Sequence, residues 1–159
     1  MDIREIEMND NQALKRIIKW SLEDAGLNIP GTAYFDPQLG YLSQFYKEKP
    51  GAKYWVVVTD ANEVAGGAGI APYAQNSDVG ELQKLYIAPE FRGKGLSKQL
   101  MTTALDFASK HYTYCYLETS RKLEIASYLY RQFGFQELNE PLDGSEHGAM
   151  DDWYIKKLV

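Results

Sequence analysis

One stretch narrows the folds open to this chain more than any other. It reads Glu81-Leu82-Gln83-Lys84-Leu85-Tyr86-Ile87, then Ala88-Pro89-Glu90-Phe91, then Arg92-Gly93-Lys94-Gly95-Leu96-Ser97-Lys98. The first part has the composition of a strand, and Pro89 ends it, because proline has no N–H to give to a ladder and a fixed φ. A basic loop with two glycines follows and opens a helix. A strand feeding a helix through such a loop presents free backbone N–H groups and a positive helix end to a phosphate. Function is expected here.

The rest of the chain supplies a scaffold for that turn. Residues 2–8 alternate loosely, as a first strand would. Asn9, Asp10 and Asn11 offer helix caps, and Leu14, Ile17, Ile18, Leu22 and Ala25 recur at helical spacing before Gly26 stops the pattern. Residues 27–38 carry turn residues at both ends and aromatics between them, as expected of a connector or of a loop closing over a ligand. A short helix is expected over 38–48. Tyr54 to Thr59 is β-branched and aromatic, a strand. Asp60 to Glu63 turns it back into Val64–Ala71, where Gly66, Gly67 and Gly69 mark a bulge or a close approach. Asn76-Ser77-Asp78 is expected to turn the chain into a strand over Val79–Ile87, completing an antiparallel meander. After the glycine loop, Leu96, Leu100, Met101, Ala104, Leu105 and Ala108 share one helical face. Tyr114 to Thr119 is a fifth strand, joined to the fourth by a helical crossover and therefore parallel to it. Ile125, Ala126, Leu129, Tyr130 and Phe133 form another amphipathic helix closed by Gly134, residues 139–148 read as loop, and Trp153-Tyr154-Ile155 opens a last strand. The order predicts one mixed α/β domain over residues 1–159.

Composition sets outer bounds. A chain of 159 residues, 45% hydrophobic and 25% charged, suits one soluble domain with a buried core. No apolar run reaches the roughly 18–20 residues needed to span a bilayer. Met1-Asp2-Ile3-Arg4-Glu5 has no basic region leading into an apolar run, so no secretory signal is expected and the cytoplasm is the plain location. Cys115 stands alone, which excludes an internal disulfide and gives no metal-ligand pattern. A net charge of −5 speaks against general nucleic-acid binding and leaves cationic substrates open.

Three phosphate-loop patterns compete for residues 92–98. A P-loop needs four residues between its first glycine and Gly-Lys-Ser/Thr, which is absent. A dinucleotide fingerprint finds Gly93 and Gly95 but Lys98 at its third glycine; Glu118 lies at the required distance, yet Ala88 to Phe91 intervene between strand and loop, and too little chain follows for a doubly wound sheet. The third pattern, Arg/Gln-x-x-Gly-x-Gly/Ala, is matched by Arg92-Gly93-Lys94-Gly95-Leu96-Ser97, with serine in the last place. Together with Ala126-Ser127-Tyr128-Leu129-Tyr130-Arg131-Gln132-Phe133-Gly134-Phe135, it resembles the two signature blocks of the GCN5-related N-acetyltransferase (GNAT) family, as a small single-domain member. The order of elements along the whole chain is similar too.

The resemblance implies the GNAT acyltransferase fold, an α/β sheet that is mostly antiparallel with one splayed parallel pair, and acetyl-CoA as co-substrate. It implies that the N–H groups of Gly93, Lys94, Gly95, Leu96 and Ser97, with Arg92 beside them, hold the pyrophosphate, and that Leu85, Tyr86 and Ile87 line the thioester. Ser97 suits a helix cap. Tyr130 falls at the position of the family's general-acid tyrosine, and Glu81 resembles the carboxylate that takes the amine's proton, with Glu118 as a second candidate. Such a base is needed because lysine-like amines are mostly charged at neutral pH. Cys115, flanked by tyrosines with no base nearby in sequence, is expected to be structural, which favours direct transfer over an acyl-enzyme. Tyr34, Phe35, Asp36, Asp151 and Asp152 can form an aromatic and acidic pocket for a cationic amine, with His147 touching substrate. The acceptor is a small-molecule or peptide amine; a homodimer stays open, and so does a non-catalytic acetyl-CoA sensor.

Overall fold

The structure, a computed structural model, describes residues 1–74 and 76–158. Among them, β1 (Asp2–Glu5), β2 (Lys53–Val58), β3 (Val64–Tyr73), β4 (Asn76–Ile87), β5 (Tyr114–Thr119), β6 (Gln136–Leu138) and β7 (Asp152–Lys157) form one sheet in the order β1-β2-β3-β4-β5-β7-β6. Neighbours are antiparallel except β4 and β5, which run parallel. The helices are α1 (Asn11–Asp24), α2 (Leu42–Glu48), α3 (Leu96–His111) and α4 (Glu124–Gln132). The long crossover through α3 is what lets β4 and β5 share a direction.

Strand β2 shows how the layers are divided. Tyr54, Val56 and Val58 pack with Leu14, Ile18 and Leu22 of α1 and with Leu42 and Tyr46 of α2. Trp55 and Val57 face the other side, with Leu100, Met101 and Ala104 of α3 and Leu129 of α4. A period of two on the strand meets a period near 3.6 on helices above and below. Each face thus buries the apolar stripe read from the sequence.

Two boundaries differ from expectation. Asn76, Ser77 and Asp78 belong to β4, where Asn76 pairs with Tyr73, so the expected turn there is extended strand. The segment after Gly134 holds β6, whose three residues are too few to show an alternating pattern and which exists because β7 offers it an edge.

The middle of β4 is irregular. Gly67 of β3 pairs with Tyr86 and Gly69 with Gln83, so Ala68 stands opposite both Lys84 and Leu85. This is a bulge, and Lys84 takes a left-handed φ of 51° to make it. The β3 glycines make it affordable in space: a Cβ on Gly67 would lie 2.5 Å from the Tyr54 ring, and one on Gly69 2.6 Å from it. Tyr54 lies across the strand there and donates its hydroxyl proton to the Lys84 carbonyl at 2.8 Å. On its other edge β4 pairs with β5 only from Val79 to Glu81, after which the two strands part.

Candidate active site

The glycine loop has the open backbone that its sequence requires. A short turn over Pro89–Phe91 precedes it, and Gly93 and Gly95 adopt φ of 77° and 76°, a region costly for residues with a Cβ. A Cβ built on either meets nothing within 4 Å, so the glycines serve conformation and leave the space above them free. Among the described residues, no acceptor pairs with the N–H groups of residues 93–98, while Gln99 N–H begins the helical ladder at Gly95 O. Six unpaired donors and the N-terminus of a sixteen-residue helix share one short run of chain, which suits a pyrophosphate.

Two side chains there depart from expectation. Gly95, not Ser97, occupies the cap of α3, and Ser97 sits inside its first turn. Arg92 turns back into the protein: its Nε donates to Ile87 O at 3.0 Å, its Nη2 reaches Ser21 Oγ at 3.4 Å, and its guanidinium lies over Trp20. It braces the strand end against α1 while staying exposed, with Lys94 exposed beside it. Leu85, Tyr86 and Ile87 run along the part of β4 that has separated from β5, so the edge facing β5 is free of ladder partners beyond Glu81.

Where the strands part, a small cavity of about 50 Å³ opens, lined by Glu81, Gln83, Lys84, Glu118, His147 and Met150 among others. Tyr46 donates to Gln83 Oε1 at 2.6 Å, which fixes the amide so that Nε2 donates to Glu81 Oε1 at 2.7 Å. Burial pushes the Glu81 carboxyl up to about 7; the Gln83 amide opposes the rise, and the charge of Glu118 adds to it. Glu118 accepts hydroxyl protons from Tyr116 at 2.7 Å and Ser145 at 2.9 Å. Both candidate carboxylates therefore face one space, with Glu81 poised to change charge near neutrality.

A charged cluster closes the opposite side. Lys84 Nζ lies 2.7 Å from Asp36 Oδ2, with the Lys84 side chain 4% exposed. His147 Nε2 lies 2.9 Å from Asp36 Oδ1. Burial alone would raise Asp36, but its bonds to His147 and Lys84 outweigh that and hold it below the ordinary aspartate value. The same bond raises His147 above an ordinary histidine against the effect of burial. Three distant segments meet here, and sequence spacing had no means of pairing them.

The acidic pocket expected for a cationic amine is not assembled. Asp36 is committed to Lys84 and His147. Asp151 accepts the Arg121 N–H at 2.9 Å, and Asp152 is buried, taking protons from Ser127 at 3.2 Å and Tyr154 at 3.0 Å. Tyr34 donates to Glu23 at 2.7 Å and Phe35 faces solvent. Of the expected acceptor-side residues, His147 alone lines the cavity with Glu81.

Tyr130 is buried on α4, its ring 5.8 Å from Tyr154 and 6.0 Å from Phe135. Burial, reinforced by Tyr86 and Tyr154, holds its hydroxyl well above the ordinary tyrosine value, so it stays protonated. Cys115 is fully buried in β5 with its thiol pushed up to about 12 by burial, which removes the thiolate an acyl-enzyme needs. A larger open groove of about 330 Å³ lies along the C-terminal half of α3 beside Phe133 and Lys156 and lacks any of these groups. No described helix is long and apolar enough to cross a membrane.

Comparison with known proteins bears on the family and the fold. A sequence profile of the acetyltransferase (GNAT) family matches residues 13–135. The chain is 40% identical over 159 residues, covering 98% of it and 94% of the relative, to the uncharacterized N-acetyltransferase YjgM of Escherichia coli (strain K12). Over 98 residues, 61% of this chain, it is 34% identical to the N-acetylaspartate synthetase of Rattus norvegicus, of which that match covers 32%. Among solved structures, an acetyltransferase of the GNAT family from Staphylococcus aureus Mu50 superimposes with a TM-score of 0.84 at 19% identity over 99% of both chains. A phosphinothricin acetyltransferase from Sinorhizobium meliloti, solved in complex with AcCoA, gives 0.76 at 20% identity over 99% of this chain and 88% of that one. At such identities the two structures speak for the fold.

Proposed function

Because this chain belongs to the acetyltransferase (GNAT) family, we propose that it carries, in one domain over residues 1–159, the transfer of an acetyl group from acetyl-CoA to a primary amine by direct attack with both substrates bound. The observation that carries the reading is the row of unpaired N–H groups at residues 93–98, set at the end of a strand whose edge is free where β4 leaves β5. The residues fit the donor: a pyrophosphate takes the loop donors, and an extended thioester arm takes the open edge over Leu85 to Ile87. Acetyl-CoA supplies an activated acyl group; the protein supplies position and proton handling.

Glu81 takes the ammonium proton, directly or through a water, because the charge it carries above pH 7 faces the cavity. The amine nitrogen then bonds to the acetyl carbon as the carbon–sulfur bond breaks. Tyr130 donates a hydrogen bond to the departing sulfur. Thiols ionise near about 8.5, well below the raised Tyr130 hydroxyl, so the tyrosine steadies the thiolate as a donor, and solvent completes its protonation. The likeness to the rat N-acetylaspartate synthetase is in keeping with an amine acceptor.

The test is release of CoA thiol from acetyl-CoA across a panel of amines, comparing the wild type with Glu81→Gln. Turnover with at least one amine, reduced about 10²–10⁴-fold by the substitution with acetyl-CoA affinity unchanged, supports the reading. Tight acetyl-CoA binding without turnover by the wild type on any amine would replace it with a sensor role.

A further inference from the structure

The cavity over Glu81 has two walls of opposite chemistry. On one, Glu81 Oε1 is occupied by the Gln83 amide and Glu118 by two hydroxyls, leaving Glu81 Oε2 to receive a proton. On the other, one carboxylate, Asp36, serves two basic groups, Lys84 and His147. With His147 protonated, a state its bond to Asp36 favours, Asp36 cancels one of two positive charges. Lys84 has three N–H donors and spends one on Asp36; His147 spends Nε2 there and keeps Nδ1. Among the described residues the remaining donors have no side-chain or backbone acceptor, although the Lys84 side chain is 4% exposed. Leaving a buried donor unmatched costs free energy, more so when it is charged.

The space is also small and bounded on one side by two joined loops. Ala149 N–H donates to Gly31 O at 3.1 Å, and a Cβ on Gly31 would lie 2.8 Å from that nitrogen. With the His147–Asp36 bond this makes a seam between the 27–41 loop and the 139–151 loop, over a cavity of about 50 Å³. That volume has room for a few water-sized groups.

Resting on the acetyl-transfer reading, we propose that the acceptor is a small free amino acid, taken whole. Its amine meets Glu81 and its carboxylate takes the unspent donors of His147 and Lys84. A simple alkylamine satisfies the first wall and leaves the second unpaired. A peptide has its carboxylate removed by amidation and must also pass the seam.

The experiment uses standard L-amino acids, their carboxamides, and dipeptides beginning with the same residue, with the full chain and acetyl-CoA. For the best amino acid, kcat/KM exceeds that of its carboxamide and dipeptide by about tenfold or more. In His147→Gln the acid-to-amide ratio falls toward one, chiefly through the acceptor KM, while the KM for acetyl-CoA holds; a merely structural role would lower both acceptors alike. Equal use of acid and amide, a preference for the dipeptide, or an unchanged ratio in His147→Gln overturns the proposal. Calorimetry on the CoA-loaded protein with the same panel separates the two readings. Selective binding of the free acid without turnover overturns acetyl transfer and upholds the zwitterion site. Binding that ignores the carboxylate, or no binding by any member, overturns the zwitterion site even where other amines are acetylated.

Discussion

The proposed donor and acceptor sides of this molecule are built on different principles. Residues 93–98 work through backbone N–H groups and two left-handed glycines, within one short run of chain. The cavity over Glu81 works through side chains from the 27–41 loop, β4, β5 and the loop before β7. A backbone site needs the right conformation and little else, so it tolerates almost any side chain that does not block it. A side-chain site needs each partner delivered by separate elements, and each can vary alone. The first can be held constant in a family while the second is free to change with the acceptor.

That contrast can be broken experimentally. The largest effect on the donor side is expected from Gly95→Val. Its Cβ enters open space, so the fold survives at a cost of about 1–2 kcal/mol for a left-handed residue, but acetyl-CoA affinity falls by about 100-fold or more, measured by calorimetry. Retained affinity would show that the loop does not hold the donor. On the acceptor side, Asp36→Asn leaves Lys84 buried without its counter-charge and should destabilise the fold by about 3–5 kcal/mol in urea melts, with acetyl-CoA affinity little changed once folded. A loss under 1 kcal/mol would mean that the ion pair is not the clasp it resembles.

Tyr130→Phe is expected to lower kcat by roughly 10- to 100-fold while leaving both affinities, since one hydrogen bond to the charged leaving thiolate is removed. An effect on acetyl-CoA binding alone would make Tyr130 a packing residue. The smallest effect is in pH dependence. Glu81 must be ionised to take a proton, so kcat/KM should climb as pH rises through about 7. The charge of Glu118 contributes to that high value, and Glu118→Gln should move the inflection to lower pH; movement upward would contradict the placement of the two carboxylates. Stability follows its own signs. Asp36, lowered on folding, contributes above its unfolded value and loses that as pH falls through its folded one. His147, raised on folding, contributes below about 6.5 and loses that as pH rises through its folded value.

Much of the fold was legible because it rests on periodicity. The apolar stripes of α1 and α3 and the alternation of β2 lie where the residues put them. The three glycines of β3 mark a close approach, and the structure identifies what approaches: β4 itself, through Tyr86 O and Ile87, at Gly66, and the Tyr54 and Tyr46 rings at Gly67 and Gly69, which then hold the bulge and the Gln83 amide. Strand β6 escaped notice because three residues carry no period. The basic loop marks Arg92 as a phosphate cation, and its added reach to Ile87 O and Trp20 depends on where α1 packs. Asp36, next to two aromatics in sequence, is expected in an acidic pocket for an amine; two neighbours from distant segments consume its charge.

By itself, then, the sequence determined the long helices, the strands with a clear period, the parallel crossover and the open glycine loop, while β6 and the start of β4 came only with their neighbours. Tertiary structure alone decided which side chains line the cavity over Glu81. The bulge at Lys84, the sharing of Asp36 and the elevation of Glu81 arise from burial and from charges brought together across more than a hundred residues of chain, as in the contact of His147 with Asp36. Desolvation and Coulomb interaction act through space, and spacing along a chain does not encode them.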